Sequence, residues 1–195
     1  MIEELLAYDT KLFLFLNNLG SENWDGFWRI VTHKFTWSPL YVFLLYLVFR
    51  KYGLKTTLLV MVCAVLMITA TDQLANVFKY RFERLRPCNL PELKETMRFA
   101  AVRCSGFGYF SAHAASAMAA AVFLGLLLKP YYKYLPFVLL FWAVLVAYSR
   151  IYLGVHYPLD IMTGMFFGGL IGCIFYRLQK LLRVRFLFWQ SRKTF

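Results

Sequence analysis

Three groups of residues in this 195-residue sequence have the types and spacing to do chemistry. The first is Lys79 with Arg86 and Pro87, spaced K-x6-R-P. The second is Ser111-Ala112-His113. The third is Ser149-Arg150 followed by His156 and Asp160, spaced S-R-x5-H-x3-D. Lys79, Arg86 and Arg150 supply three cations. A phosphate monoester carries about −1.5 to −2 charges at neutral pH, and arginine donates to its oxygens in a fixed fork. Ser111 adds a hydroxyl donor. A helix beginning at Ser111 would add backbone amides, that of Ala112 included, because a helix N-terminus favours anions. Together these groups would cradle a phosphate.

The two histidines would divide the reaction between them. His156 and Asp160 are four residues apart and share a face if a helix begins near His156. A carboxylate bonded to one ring nitrogen fixes the tautomer and leaves the other free to attack. His156 is therefore the candidate nucleophile, forming a phosphohistidine. His113 is the candidate general acid, a role typically worth about 10²–10⁴-fold. Pro87 and Ser149 belong to the same motifs and are expected to support them. Asp72, Asn76 and Lys79 fall on one helical face, so Asp72 and Asn76 are expected behind Lys79. No carboxylate cluster suited to Mg²⁺ is found in the sequence, so neither metal nor cofactor is expected.

The elements that must position these residues are apolar helices. The chain is 61% hydrophobic and 16% charged, where a soluble domain carries about a quarter charged residues. The apolar residues fall in long runs between short polar stretches, the pattern of a multi-pass membrane protein. The expected fold is all-α, one domain over residues 1–195, a transmembrane bundle of about five spans. The spans are Trp37–Phe49, about Leu54–Phe78, Ser111–Leu128, Leu135–Tyr148 and Pro158–Tyr176. The first is short for a bilayer, and its helix could start upstream with Arg29, His33 and Lys34 snorkelling or facing protein. Residues 2–18 read as an amphipathic helix with Ile2, Leu5, Leu6, Leu12, Phe13 and Leu16 at helical spacing, and residues 1–25 as an interfacial segment. Trp24, Trp28 and Trp37 suit the headgroup region. The acidic start Met1-Ile2-Glu3-Glu4 does not resemble a cleavable signal peptide.

Charge assigns the sides. The ends at 50–55, 129–133 and 177–195 carry Arg50, Lys51, Lys55, Lys129, Lys133, Arg177, Lys180, Arg183, Arg185, Arg192 and Lys193, and none of the ten acidic residues. Such a bias marks the cytoplasmic side, and it accounts for the net charge of +12 without nucleic acid. Alternation then places a site loop at 79–109 and the 149–157 connection together on the opposite side. A bacterial cytoplasmic (inner) membrane with its site on the periplasmic or outer face is the expected location. Cys88 and Cys104 share the site loop, where a disulfide and two free thiols are both open. Arg81, Arg84, Arg98 and Arg103 are expected to be solvated and partnered by Glu83, Glu92 and Glu95, with anionic headgroups as the alternative. Gly164, Gly168 and Gly172 suggest close helix packing more than a homodimer face, so monomer and homodimer both stand. His33 has no partner motif and no assigned role.

The three motifs resemble those of the type 2 phosphatidic acid phosphatase family, which also includes vanadium haloperoxidases. The family pattern is K-x6-R-P, P-S-G-H and S-R-x5-H-x3-D. The first and third match in full; in the second, Phe110 replaces proline and Ala112 replaces glycine. The likeness covers about residues 72–176. It implies a helical core with its site near the outer membrane surface, and the roles given above. The partners would be the bilayer and a membrane lipid phosphate or diphosphate. Undecaprenyl diphosphate is the preferred substrate, because small bacterial members resemble this chain in plan; lipid A and phosphatidylglycerol phosphate are rivals. A lipid-phosphate binding or translocating protein without turnover is the competing class, motivated by the altered second motif and opposed by intact His113, His156 and Asp160. A haloperoxidase reading is opposed by the spans. Excess chelator should leave phosphate release from a lipid substrate unchanged; loss of activity restored by Mg²⁺ would contradict the metal-free reading.

Overall fold

A computed structural model describes residues 2–104 and 106–191, with the side chains of 186–191 outside the description. Met1, Arg192 and Lys193 lie outside the described residues. The described residues form six α-helices: α1 (Ile2–Asn18), α2 (Glu22–Thr32), α3 (Ser38–Phe82), α4 (Ala112–Leu128), α5 (Leu135–Tyr152) and α6 (Pro158–Ser191). The fold is an all-α transmembrane bundle. α3, α5 and α6 are long and apolar enough to cross a bilayer, and α4 is a shorter apolar helix of 17 residues.

α3 is 45 residues long, roughly twice what a ~30 Å hydrocarbon core needs. It is two spans. Gly53 breaks the helix with φ 76° and ψ 174°, a conformation that L side chains rarely adopt. Tyr41 and Leu45 line one apolar groove with Met67 and Ile68, so the chain doubles back at Gly53. The first span thus runs from Ser38 to the Gly53 break, with Pro39 in its first turn. It does not start upstream: α2 ends at Thr32, and Arg29 faces protein by donating to the Ala100 carbonyl at 2.7 Å. The second half of α3 ends later than expected, at Phe82, where Glu83 takes a left-handed conformation. The site loop therefore begins beyond Lys79, which lies within the helix. α5 and α6 also run past their expected ends, to Tyr152 and Ser191; the last turn of α5 is buried against protein, while α6 continues through the exposed basic residues Arg177 and Lys180.

The N-terminal helix α1 coincides with the helix read over residues 2–18, and a second helix, α2, begins at Glu22 inside the segment 1–25. Two helices meet at Leu19–Ser21. At Gly20 a Cβ would lie 2.7 Å from the Tyr152 ring and would also collide with Arg98, so only glycine fits the corner. The apolar residues of α1 mostly face outward: Ile2, Leu5, Leu6 and Leu12 are exposed. Its buried face is Asp9, Phe13 and Asn17, spaced i, i+4, i+8. Asn17 is fully buried and donates to the carbonyls of Arg98, Ile151 and Tyr152, while its Oδ1 accepts the Arg98 amide at 2.7 Å. It thereby satisfies carbonyls at the end of α5 that have no intrahelical partner.

α4 is the centre of the bundle, packed against α3, α5 and α6. Its alanines let the backbones approach. A Cβ at Gly164 would sit 2.6 Å from the Ser111 carbonyl oxygen, and one at Gly172 2.6 Å from that of Ala119. The glycine stripe is thus spent within the chain, holding α6 against α4. The two ends of the bundle also segregate as the charges suggested. At one end Tyr52 donates to the Leu127 carbonyl at 2.8 Å and the Arg183 guanidinium lies 4.7 Å over the Tyr52 ring. At the other, Cys88 and Cys104 form a disulfide across the site loop. Gly168→Val, which drives a methyl into the Ala115 carbonyl, should lower the melting temperature in detergent by the equivalent of about 1–3 kcal/mol. Gly169→Val, whose Cβ meets only Met118 Cγ at 3.8 Å, should change it little; equal shifts would contradict this packing.

Candidate active site

The sequence-selected residues converge at the disulfide-bearing end. His156 lies in the short connection between α5 and α6 and is only 2% exposed. Its Nδ1 is 3.3 Å from Asp160 Oδ2. Pro158 opens α6, and the helical turn brings Asp160 back onto His156 and onto the Tyr157 amide, which donates to Oδ2 at 3.0 Å. Nε2 lies on the far side of the ring from the carboxylate.

Ser111 is fully buried as the N-cap of α4, its Oγ accepting from the Ala114 amide at 3.4 Å. Its hydroxyl hydrogen is not used in that bond. Its own amide donates to the Asp160 carbonyl at 3.0 Å, which ties the start of α4 to the start of α6. His113 stands in the first turn of α4 and is exposed. Arg150, His156, Arg86 and Lys79 all lie within Coulombic range of it. Lys79, in the last turn of α3, is half-buried.

The arginines are held from outside the three motifs. Arg150 donates through Nη1 to Thr32 Oγ1 at the end of α2. Its Nε is buried without a hydrogen-bond partner among the described residues. Arg86 donates through Nε to the Phe107 carbonyl at 3.3 Å, beside an antiparallel bridge between Leu85 and Phe107 that clasps the loop. Pro87 is buried and opens a turn of 3₁₀ helix after Arg86. Ser149 is fully buried, and its hydroxyl donates to the Val146 carbonyl of its own helix at 2.6 Å. Asp72 and Asn76 are exposed on α3, and Asp72 lies within Coulombic range of Lys79.

Two features were not expected. Arg84 is not a solvated loop residue. It donates through Nη1 to Asp160 Oδ1 at 3.0 Å and through Nη2 to Asp9 Oδ2 at 2.6 Å, and its guanidinium lies 4.0 Å over the Tyr157 ring. Arg98 likewise pairs with Asp25, not with a loop glutamate. The second feature is the side-chain direction at the altered second motif. Phe110 is fully buried, stacked on Phe167 and edge-on to Phe78. Ala112 packs against the same aromatic cluster. A signal for Asp9 did exist: it is an acid in the middle of α1, at i, i+4 and i+8 spacing with Phe13 and Asn17.

The electrostatics favour an anion. Burial pushes the His156 imidazolium pKa down to about 4, against the opposing pull of Asp160, and Arg150 and Arg86 push it further the same way. Burial also lowers Arg86, with Asp160 opposing. Several cations thus share a desolvated space in which Asp160 is already engaged by His156, Tyr157 and Arg84.

Apolar spans around a buried histidine–aspartate pair and converging cations define an integral-membrane phosphatase. The chain belongs to the PAP2 superfamily, whose sequence model matches residues 56–183. It is 38% identical over 189 residues to a lipid A 4'-phosphatase of Bacteroides thetaiotaomicron, covering 95% of this chain and 83% of that one. It is 29% identical over 175 residues to an undecaprenyl-diphosphatase of Sulfolobus acidocaldarius, covering 87% and 77%. Its fold matches a transmembrane PAP2-type phosphatidylglycerolphosphate phosphatase of Bacillus subtilis with TM-score 0.69 and 22% identity, over 93% of this chain and 87% of that one. The protein is a membrane lipid phosphatase, a phosphoric ester hydrolase.

His156 should remain neutral down to about pH 4, against an ordinary value of 6.5, as read from imidazole ¹⁵N shifts of labelled protein in micelles. Because the folded value is depressed, the unfolded chain takes up this proton first. The contribution of His156 to stability is therefore lost as pH falls from about 6.5 towards and below 4. A midpoint near 6.5 would contradict the burial.

Proposed function

We propose that this protein hydrolyses a phosphate monoester of lipid A through a phosphohistidine on His156. The observation that carries the chemistry is the cluster itself. Lys79, Arg86 and Arg150 converge on His113 and His156, and the buried Nε of Arg150 has no partner of its own. A buried donor left unpaired costs about 1–3 kcal/mol, more when charged. A phosphate oxygen supplies that partner.

In the proposed reaction His156 Nε2 attacks phosphorus while Asp160 holds Nδ1. The bond from phosphorus to the lipid oxygen breaks, and His113 gives that oxygen its proton. Water then attacks the phosphohistidine and gives a proton to His113, and orthophosphate leaves. Lys79, Arg86 and Arg150 hold the phosphoryl oxygens throughout, joined by the Ser111 hydroxyl and the amides at the start of α4. Charge stabilisation of this kind is usually the largest single contribution to such a rate. His113 supplies the smaller part belonging to a general acid. Asp72, Asn76, Pro87 and Ser149 support the cluster from their own helices and turns without reaching the phosphate.

Lipid A ranks ahead of undecaprenyl diphosphate, the substrate first expected from the motifs. The relative named for lipid A is the more similar of the two, at 38% against 29% identity. The site would face away from the cytoplasm. The Cys88–Cys104 disulfide in the site loop supports this, since disulfides persist in oxidising compartments. So does the basic opposite end, carrying Lys51, Lys129, Lys133, Lys180 and Arg183.

Purified protein should release orthophosphate from lipid A faster than from undecaprenyl diphosphate, phosphatidylglycerol phosphate or phosphatidic acid in matched micelles. A preference for the diphosphate would overturn the substrate assignment and leave the chemistry standing. His156→Ala should lower turnover by about 10⁴-fold or more; retained turnover would sink the nucleophile assignment.

A further inference from the structure

We infer that Asp9, on the N-terminal helix α1, is a positioning residue for His156, acting through Arg84 and the first turn of α6. The inference rests on the reading of His156 as nucleophile.

Asp9 is 4% exposed, and each of its carboxylate oxygens has a separate task. Oδ1 accepts the Leu159 amide at 2.9 Å, in the first turn of α6, where helix amides lack intrahelical partners. Oδ2 accepts Arg84 Nη2 at 2.6 Å. Arg84 then reaches Asp160 Oδ1 through its other terminal nitrogen at 3.0 Å. Asp160 Oδ2 is left for the Tyr157 amide at 3.0 Å and His156 Nδ1 at 3.3 Å. One guanidinium therefore bridges two carboxylates, with the Tyr157 ring closing one of its faces at 4.0 Å.

Two physical arguments make this more than helix docking. The His156–Asp160 contact, at 3.3 Å, is longer than an ideal charge-assisted bond of about 2.7–2.9 Å. A small rotation of the Asp160 carboxylate therefore breaks it. Asp9 opposes that rotation from two directions, by holding the neighbouring Leu159 amide and by holding half of the Arg84 fork. Without the Asp9 charge, Arg84 is free to engage Asp160 with both terminal nitrogens, the favoured arrangement for an arginine and a lone carboxylate. That arrangement would draw Asp160 away from His156. Docking of α1, by contrast, is already served by Phe13, packed edge-on to Tyr157, and by the backbone bonds of Asn17. Burial pushes the Asp9 carboxyl up, with Arg84 and the Leu159 amide opposing, so the charge depends on those partners. Asp9 lies outside the segment matched by the family's sequence model, residues 56–183. The three motifs therefore give no hint of it.

The test measures steady-state orthophosphate release from lipid A in mixed micelles, with melting temperatures of the full chain in the same detergent. Asp9→Asn keeps the shape and an acceptor for Leu159 but removes the charge. It should lower kcat by about tenfold or more, leave KM within about twofold, and leave melting near wild type. In an Arg84→Gln background the same change should cost less than about twofold, because Asp9 then has nothing to act through. Arg84→Lys keeps a positive charge but not the planar fork, and it should also lower kcat with melting held. It keeps the inference testable if Asp9→Asn does not fold. Wild-type kcat in Asp9→Asn or in Arg84→Lys would overturn the inference. So would an equal loss from Asp9→Asn with and without Arg84, or a loss that disappears when the assay is cooled below the variant's melting transition. Wild-type behaviour of Asp9→Asn beside a dead His156→Ala would reject the role of Asp9 alone. Turnover by His156→Ala would reject the underlying nucleophile reading.

Discussion

The site hangs on one buried carboxylate. Asp160 is fully buried and serves three donors: the ring nitrogen of His156, the amide of Tyr157 and the guanidinium of Arg84. Its backbone carbonyl takes a fourth, the amide of Ser111. A charge in that position is tolerated only when it is paired and hydrogen-bonded. The four donors come from three parts of the chain: His156 and Tyr157 from the α5–α6 connection, Arg84 from the site loop and Ser111 from the start of α4. The need to keep Asp160 satisfied therefore fixes the relative positions of the segments that carry the chemistry. The packing beneath it serves the same end. Without a side chain at Gly164, α6 can approach the Ser111 carbonyl closely enough for this network to close.

The balance of charge around that carboxylate leaves an excess of positive charge beside His113 and His156. Asp160 is fully engaged, and Asp72 is exposed along α3. Arg86, Arg150 and Lys79 all lie within Coulombic range of His113, and Asp72 acts on Lys79. Like charges in a desolvated space repel, and repulsion of this kind persists in a fold only where something else offsets it. The phosphate dianion of the proposed substrate would do so. The same repulsion, added to burial, keeps the His156 ring neutral over most of the accessible pH range. Only a neutral imidazole has the lone pair that the proposed attack on phosphorus requires.

Much of this was legible in the sequence because motif spacing and apolar runs are local. Five apolar segments, the helix start at Ser111 and the four-residue interval from His156 to Asp160 all follow from short-range pattern. The rest required contacts between distant parts of the chain. Nothing near Arg84 marks it as the partner of Asp9, 75 residues away. Its neighbours Glu83, Glu92 and Glu95 made a solvated loop the natural reading. Thr32, which orients Arg150 from 118 residues away, is equally silent. The buried face of α1 was silent for a related reason. In a membrane protein the apolar stripe of a surface helix faces lipid, so the side that packs on protein can be the polar one. There Asp9 and Asn17 are buried and Leu5 and Leu12 are exposed. Gly53 showed only as a glycine between two basic residues, and its positive φ is what turns one long helix into two spans.

The altered second motif can be judged in the same terms. A phenylalanine and an alanine, where the family has proline and glycine, threaten the site only if their side chains point into it. They do not. Phe110 enters a cluster with Phe78, Phe167, Ala75 and Ala115, and the Ala112 methyl packs on that cluster from the start of α4. The first turn of α4 is thereby anchored on one side by this aromatic cluster, while Ser111 caps it and ties it to Asp160. The close approach that a glycine would permit is found instead at Gly108. A Cβ there would come within 3.0 Å of Arg86 Cγ and 3.4 Å of Asp160 Oδ2. The space beside the Asp160 carboxylate is thus kept open by a residue two positions outside the motif. The two substitutions alter how α4 is held, and the groups that would meet a phosphate are left in place.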